Sequence, residues 1–154
     1  MWSEECGVWS EECGVWSEVS FYLLIIEQYY MNDFFYKKLD AYAIAKEFTI
    51  YVYSVIRHFP PYEQYALSDQ LRRAAISVPS NIVEGMGRTP IKERIHFINI
   101  SYGSLAEVMC QLDIALSLGY ISEQELAQAE EISNRLGRVL SGLKKSLELK
   151  LPVN

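Results

Sequence analysis

The sequence predicts an all-α protein, an antiparallel up-down-up-down bundle of four helices behind a poorly structured N-terminal leader. Three observations carry this prediction. Apolar residues recur at steps of three and four over four long stretches, the stretches are separated by Pro and Gly signals a few residues long, and one heptapeptide repeats without change at the N-terminus. Connections that short do not let successive helices cross, so neighbours in sequence become antiparallel neighbours in space.

The leader comes first in chain order. Trp2 to Val8 reads WSEECGV, Trp9 to Val15 repeats it, and Trp16 to Glu18 begins it again. One permitted codon choice divides into near-identical heptanucleotides, so tandem repeat DNA read as protein accounts for the identity. A coiled-coil heptad is the rival, but a seam needs aliphatic residues at both a and d, and here Gly recurs once per repeat. The stretch before Phe21 carries acids and no base, which is not the pattern of a secretory signal. Residues 1–30 are therefore expected to be a leader or a gene-model artefact, Met31 a second start, and residues 31–154 the bundle. The chain holds 14 Lys plus Arg and 20 Asp plus Glu, a net charge of −6. Six of the acids and none of the bases precede Met31, so the bundle itself carries 14 of each sign and is neutral.

The first helix is expected from about Asp33 to His58, with Ala41, Ile44, Ala45, Phe48, Val52, Val55 and Ile56 on one side. FTIYVYSVI is rich enough in β-branched and aromatic residues for a strand to compete, but some 25 residues unbroken by Gly or Pro favour a helix. Phe59-Pro60-Pro61 ends it. Ile50, Tyr51 and Tyr53 lie away from its apolar stripe, and a helix apolar on more than one side needs a second partner, so a homo-oligomer contacting through those residues is expected. The second helix starts between Tyr62 and Ser68, carries Leu67, Leu71, Ala74, Ala75, Val78 and Ile82, and stops at Gly85 or Gly87. Pro79 inside it predicts a kink or a lost hydrogen bond near Ala75. The third opens with Thr89 as N-cap and Pro90 at the first helical position and runs to Gly119. The fourth opens with Ser122-Glu123-Gln124-Glu125, a capping box, followed by apolar residues from Leu126 to Leu147.

Polar stripes accompany two of these helices. Gln70, Arg73, Ser77, Asn81 and Glu84 align on the second, and Ser101, Ser104, Glu107 and Gln111 on the third. Facing each other they would pair Arg73 with Glu107 and join Asn81 to Ser104 in a buried network that sets register; equally, both stripes could face water.

Few residues could do chemistry. His58 at the end of the first helix suits a helix-terminus role. Glu93 and His96 share a helix face, but a dimetal bundle needs that motif twice with further carboxylates, so no metal or other cofactor is expected. Cys110 lacks a cysteine partner in the bundle and reads as a buried apolar residue. No phosphate loop, Cys-x-x-Cys or nucleophile elbow is present, which leaves an enzyme without residues. Three cysteines make a disulfide framework a poor reading and a reducing cytoplasm the better one, and no apolar run is long enough to span a membrane. Arg72, Arg88, Lys92 and Arg94 cluster around the second and third helices and could repeat as a basic surface in a ring, although a solvated helix face is the simpler reading. Lys144, Lys145 and Lys150 suit the last helix's C-terminus.

The run LSDQLRRAAISVPSNIVEG (Leu67 to Gly85), then Gly87-Arg88 and ISYGSLAEVMCQL (Ile100 to Leu112), resembles the four-helix-bundle family named for the 23S rRNA intervening-sequence protein, also called S23 ribosomal protein. The resemblance spans residues from about 38 to 148. It implies a small bacterial bundle that assembles as a ring, commonly a homopentamer, with no established enzymatic activity. The same segments are similar to the accessory variability determinant of diversity-generating retroelements, which implies RNA or DNA, or a reverse transcriptase, as partner. That relative is strongly basic, and the 14-to-14 balance here departs from it.

Overall fold

The computed structural model describes residues 34–152, and the expected leader lies outside them. The chain divides into two units, Met1–Phe35 and Tyr36–Asn154. Within the second unit lie α1 (Asp40–Ile56), α2 (Leu67–Gly87), α3 (Ile91–Ser117) and α4 (Glu123–Glu148), with no strand among the described residues. α1 and α3 each pack against both α2 and α4, the arrangement of an antiparallel bundle. Length wins over β-propensity in FTIYVYSVI because Phe48, Val52 and Val55 all reach the core only at a spacing of three and four.

The core takes one stripe from each helix, including Phe48 from α1, Leu71, Val78 and Ile82 from α2, Leu112 from α3 and Leu136 from α4, all fully or almost fully buried. Each such side chain is worth about 1.5–3 kcal/mol of burial.

Punctuation decides where the stripes begin and end. α1 starts seven residues later than expected: Phe35–Lys38 form a 3-10 turn and Leu39 is extended (φ −88°, ψ 121°), which lets its side chain pack on the core. Thr89 is not the cap of α3. Pro90 occupies the N-cap, because its own ψ of 129° keeps it extended and the chain turns helical only at Ile91, and no side chain caps it, since proline has no polar side-chain group to offer. α3 ends in a Schellman motif: Gly119 takes φ +73°, its N–H donates to the Leu116 carbonyl at 2.9 Å, and the Tyr120 N–H donates to the Ala115 carbonyl at 2.9 Å. α4 opens on the expected capping box. The Glu125 N–H donates to Ser122 Oγ at 3.3 Å, and Glu125 Oε2 accepts from the Ser122 N–H at 2.8 Å.

α2 continues through Pro79 without ending. Proline has no N–H, so the carbonyl four residues back, that of Ala75, loses its helical donor at a position with no exposure to water. Thr49 of α1 supplies a replacement: its Oγ1 lies 2.9 Å from the Ala75 oxygen and 2.9 Å from its own Ala45 oxygen, so one hydroxyl proton serves two carbonyls.

Gly85 closes the other end of the α2–α3 seam. A Cβ there would stand 2.7 Å from Phe97 Cβ and 3.3 Å from the Arg94 carbonyl oxygen. Only a residue without a side chain lets the helices approach so closely, and the helix runs on to Gly87.

Candidate functional site

The two polar stripes meet, but only along their small members. Ser77 Oγ and Ser104 Oγ lie 2.8 Å apart across the α2–α3 seam. Asn81 Nδ2 donates to Ser77 Oγ at 2.9 Å and to the Ser77 carbonyl at 2.7 Å, while Ser101 Oγ donates to the Val78 carbonyl at 2.9 Å. Every one of these groups is bonded, so the network holds register as a satisfied set. The larger members point to water instead, except Gln111, whose Oε1 is buried without a hydrogen-bond partner. Arg73 does not pair with Glu107; it lies 3.4 Å from Asp69 on its own helix, both exposed. Glu107 Oε1 accepts from Gln111 Nε2 at 3.2 Å, Gln70 is exposed, and Glu84 pairs with Arg88. The division is one of reach: at this seam there is room for hydroxyls and an amide, and long charged chains avoid desolvation by leaving it.

Three of the four candidate phosphate-binding residues are engaged within the fold. Arg88 pairs with Glu84 and stands 5.0 Å from the centre of the Phe97 ring. Arg94 Nε donates to the Arg88 carbonyl, folding back to cover the end of α2. Arg72 donates to the Gln64 carbonyl at 3.3 Å. Lys92 is exposed and has no bond among the described residues. Arg88 and Arg94 thus staple the α2–α3 turn, Arg72 braces the loop before α2 at the other end of that helix, and Lys92 is the one available cation of the four.

The opposite end of the bundle gathers hydroxyls and carboxylates. His58 Nδ1 faces Glu125 Oε1 at 3.5 Å, so its role is toward α4 and not toward the terminal carbonyls of α1. The bonds from the Ser122 N–H and hydroxyl hold the Glu125 carboxyl below its usual range against the opposing effect of burial, and His58 adds to the lowering. Tyr120 donates to Glu63 Oε1 at 3.0 Å and lies 3.1 Å from the Tyr62 hydroxyl; the Tyr62 bond foremost, then burial and the Glu63 carboxylate, push its ionisation well above the usual tyrosine range. The other Glu63 oxygen accepts from the Leu67 N–H at 3.1 Å, capping α2, whose N-cap Ala66 has no group to offer. Glu63, Thr49 and Gly85 were not singled out for these roles by the sequence pattern. The signal available was weak: an acid four residues before a helix start, a hydroxyl opposite a helix proline, and a glycine before the real terminus.

The expected outward face of α1 separates into two. Tyr51 turns inward, half-buried, and donates to the Glu125 carbonyl at 2.8 Å, which makes it a strut between α1 and α4. Ile50 and Tyr53 remain 60% and 36% exposed. Ile50 lines a groove of about 500 Å³ between α1 and α2 with Tyr42, Thr49, Pro79 and Val83, and Ile76 of α2, on the outer side of the same helix pair, is 48% exposed. Cys110 is exposed, contrary to expectation, because the buried positions of α3 beside it are Val108 and Leu112. Glu93 and His96 are exposed on α3, and among the described residues no three His, Cys, Asp or Glu side chains gather as metal ligands. No helix among the described residues is long and apolar enough to cross a membrane.

Comparison with known proteins places this arrangement. No curated protein sequence matches the chain. A crystal structure of a protein of unknown function from the S23 ribosomal protein family of Bacteroides thetaiotaomicron superposes with a TM-score of 0.63 at 18% identity, over 68% of this chain and 95% of that one, a likeness of fold. The family model of the 23S rRNA-intervening sequence protein matches residues 37–142, a span that holds α1 to α3 and most of α4. The chain belongs to the 23S rRNA-intervening sequence protein family.

Proposed function

We propose that this chain is a non-enzymatic helical module that associates with copies of itself, through the face formed by α1 and α2. The observation that carries the reading is the exposed apolar set Ile50, Tyr53 and Ile76 beside an apolar-lined groove. A bundle whose core is already closed has no internal use for these side chains, and exposed apolar side chains beside an apolar-lined groove mark an interface. A second copy is the occupant the surface suits, because the groove's few charges, Lys46 and Glu84, are of opposite sign and give no bias toward a charged partner. The family resemblance makes a ring of five the expected assembly.

Sedimentation velocity on the full chain tests this. The wild-type chain sediments as a multiple of its 17.8 kDa mass, and Ile50→Glu or Ile76→Glu, both at exposed sites, shifts it to monomer with its helix content intact. A wild-type monomer at tens of micromolar refutes the reading.

The rival reading, recruitment of RNA, DNA or a reverse transcriptase through Arg72, Arg88, Lys92 and Arg94, draws less support, since three of these side chains bond within the fold. A titration with RNA across salt concentrations checks it, because each phosphate neutralised steepens the salt dependence.

A further inference from the structure

We propose that the groove between α3 and α4 is a binding site for a nucleoside phosphate, its base lying on the Tyr102 ring and its phosphate meeting Arg138.

The groove is concave and of mixed polarity, with Leu105 and Ala106 beside its polar side chains. Its main hollow, about 450 Å³, is lined among others by Tyr102 of α3 and by Ser133, Asn134, Gly137, Arg138 and Ser141 of α4. A second hollow of about 150 Å³ shares Tyr102 and Ser141 and adds Asn99 and Lys144, so the two form one continuous furrow. The main volume lies in the usual range for a small-molecule site, roughly 300–1,000 Å³. No Asp or Glu lines either hollow, although the chain is acidic overall, and two cations do. The acids that flank it on α4 are Glu130, one turn before Asn134, and Glu148, which lies 3.9 Å from Lys144.

Lys144 apart, which pairs with Glu148, the polar side chains in this furrow are unspent. Tyr102 is 52% exposed, far more than a buried aromatic anchor needs. Arg138, Asn99, Asn134, Ser133 and Ser141 make no hydrogen bond or ion pair among the described residues, whereas the α2–α3 seam bonds every hydroxyl it holds and the α2–α3 turn engages most of its arginines. A planar base gains about 1–3 kcal/mol from stacking on an aromatic ring. Arginine offers a fork of donors suited to phosphate, and asparagine amides present a donor and an acceptor to a base edge. Lys144 follows Arg138 by six residues, about 9 Å along the helix axis, which places a second cation where a neighbouring phosphate would run.

Gly137 keeps the floor open. A Cβ there would lie 3.7 Å from Tyr102 Cε2, in ordinary contact, so a larger side chain can be added to the floor without displacing backbone.

Titration of the full chain at about 50 mM salt, by fluorescence anisotropy, with a labelled AMP analogue and with labelled oligouridylate tests the proposal. Binding of at least one probe is expected. Tyr102→Ala weakens it about 5- to 150-fold. Arg138→Gln weakens it and lowers the salt slope by about one. Gly137→Leu abolishes it while leaving helix content and thermal stability at or above wild type, since glycine is the poorer helix former. Competition by unlabelled AMP identifies a free nucleotide as the ligand, and competition by the strand alone identifies one unit of a single strand; both outcomes uphold the site. Ile50→Glu leaves binding unchanged, which separates this site from self-association. Absence of binding to both probes, or unchanged binding by folded Gly137→Leu, overturns it.

Discussion

Among the described residues, the hydroxyl of Thr49 is the sole donor from outside α2 that reaches the carbonyl Pro79 leaves bare, and its removal should cost more than a surface hydrogen bond. Thr49→Val keeps the β-branched shape and deletes the donor. The Ala75 oxygen would then sit unpaired beside a fully buried side chain, and an unsatisfied buried carbonyl costs about 1–3 kcal/mol. The same change in a Pro79→Ala background should cost far less, because the restored N–H at position 79 bonds Ala75 in the ordinary helical way. The coupling energy between the two sites is therefore expected at about 1 kcal/mol or more, within the range for groups that share a partner. Urea unfolding followed by circular dichroism, at one protein concentration for all four chains, yields the cycle from midpoints and slopes. Equal penalties for Thr49→Val in both backgrounds would show that the hydroxyl serves only Ala45, and the argument for a bridging role would fail.

Other expectations follow from the same geometry. Gly85→Ala forces a methyl to within 2.7 Å of Phe97 Cβ, and overpacking of about 1–3 kcal/mol outweighs a helix-propensity gain of at most about 1 kcal/mol, so a lower urea midpoint is expected. Phe48→Ala, at a side chain with no exposure, should cost about 3–5 kcal/mol in the same assay. Ser122→Ala removes the acceptor of the Glu125 N–H and one of the bonds that lower the Glu125 carboxyl, for a loss of about 0.5–2 kcal/mol. Because that carboxyl titrates below its ordinary 4.5 in the folded chain, its contribution is complete above pH 4.5 and is lost as pH falls through the lower folded value. Unfolding midpoints measured between pH 6 and pH 3 should therefore fall less steeply in Glu125→Gln than in the wild type.

Periodicity alone located four helices and nearly all the buried aliphatic residues, since the 3.6-residue repeat of apolar side chains is a local property that burial on one side imposes on any bundle. The capping box at Ser122 and the glycine stop at Gly119 were equally legible, because each is complete within a few consecutive residues. Only the folded chain decided which polar residues face one another. Ser77 and Ser104 bond across the seam, with Asn81 bonded to Ser77 on its own helix, while Arg73, Glu84 and Glu107 turn to water, although all six recur at the same helical spacing. The same holds for Thr49 on Ala75, Tyr51 on Glu125 and the unspent furrow along Tyr102 and Arg138. Spacing along one helix states which side chains share a face; the distance to the next helix, set at Gly85 by the missing Cβ, states which of them are short enough to stay inside.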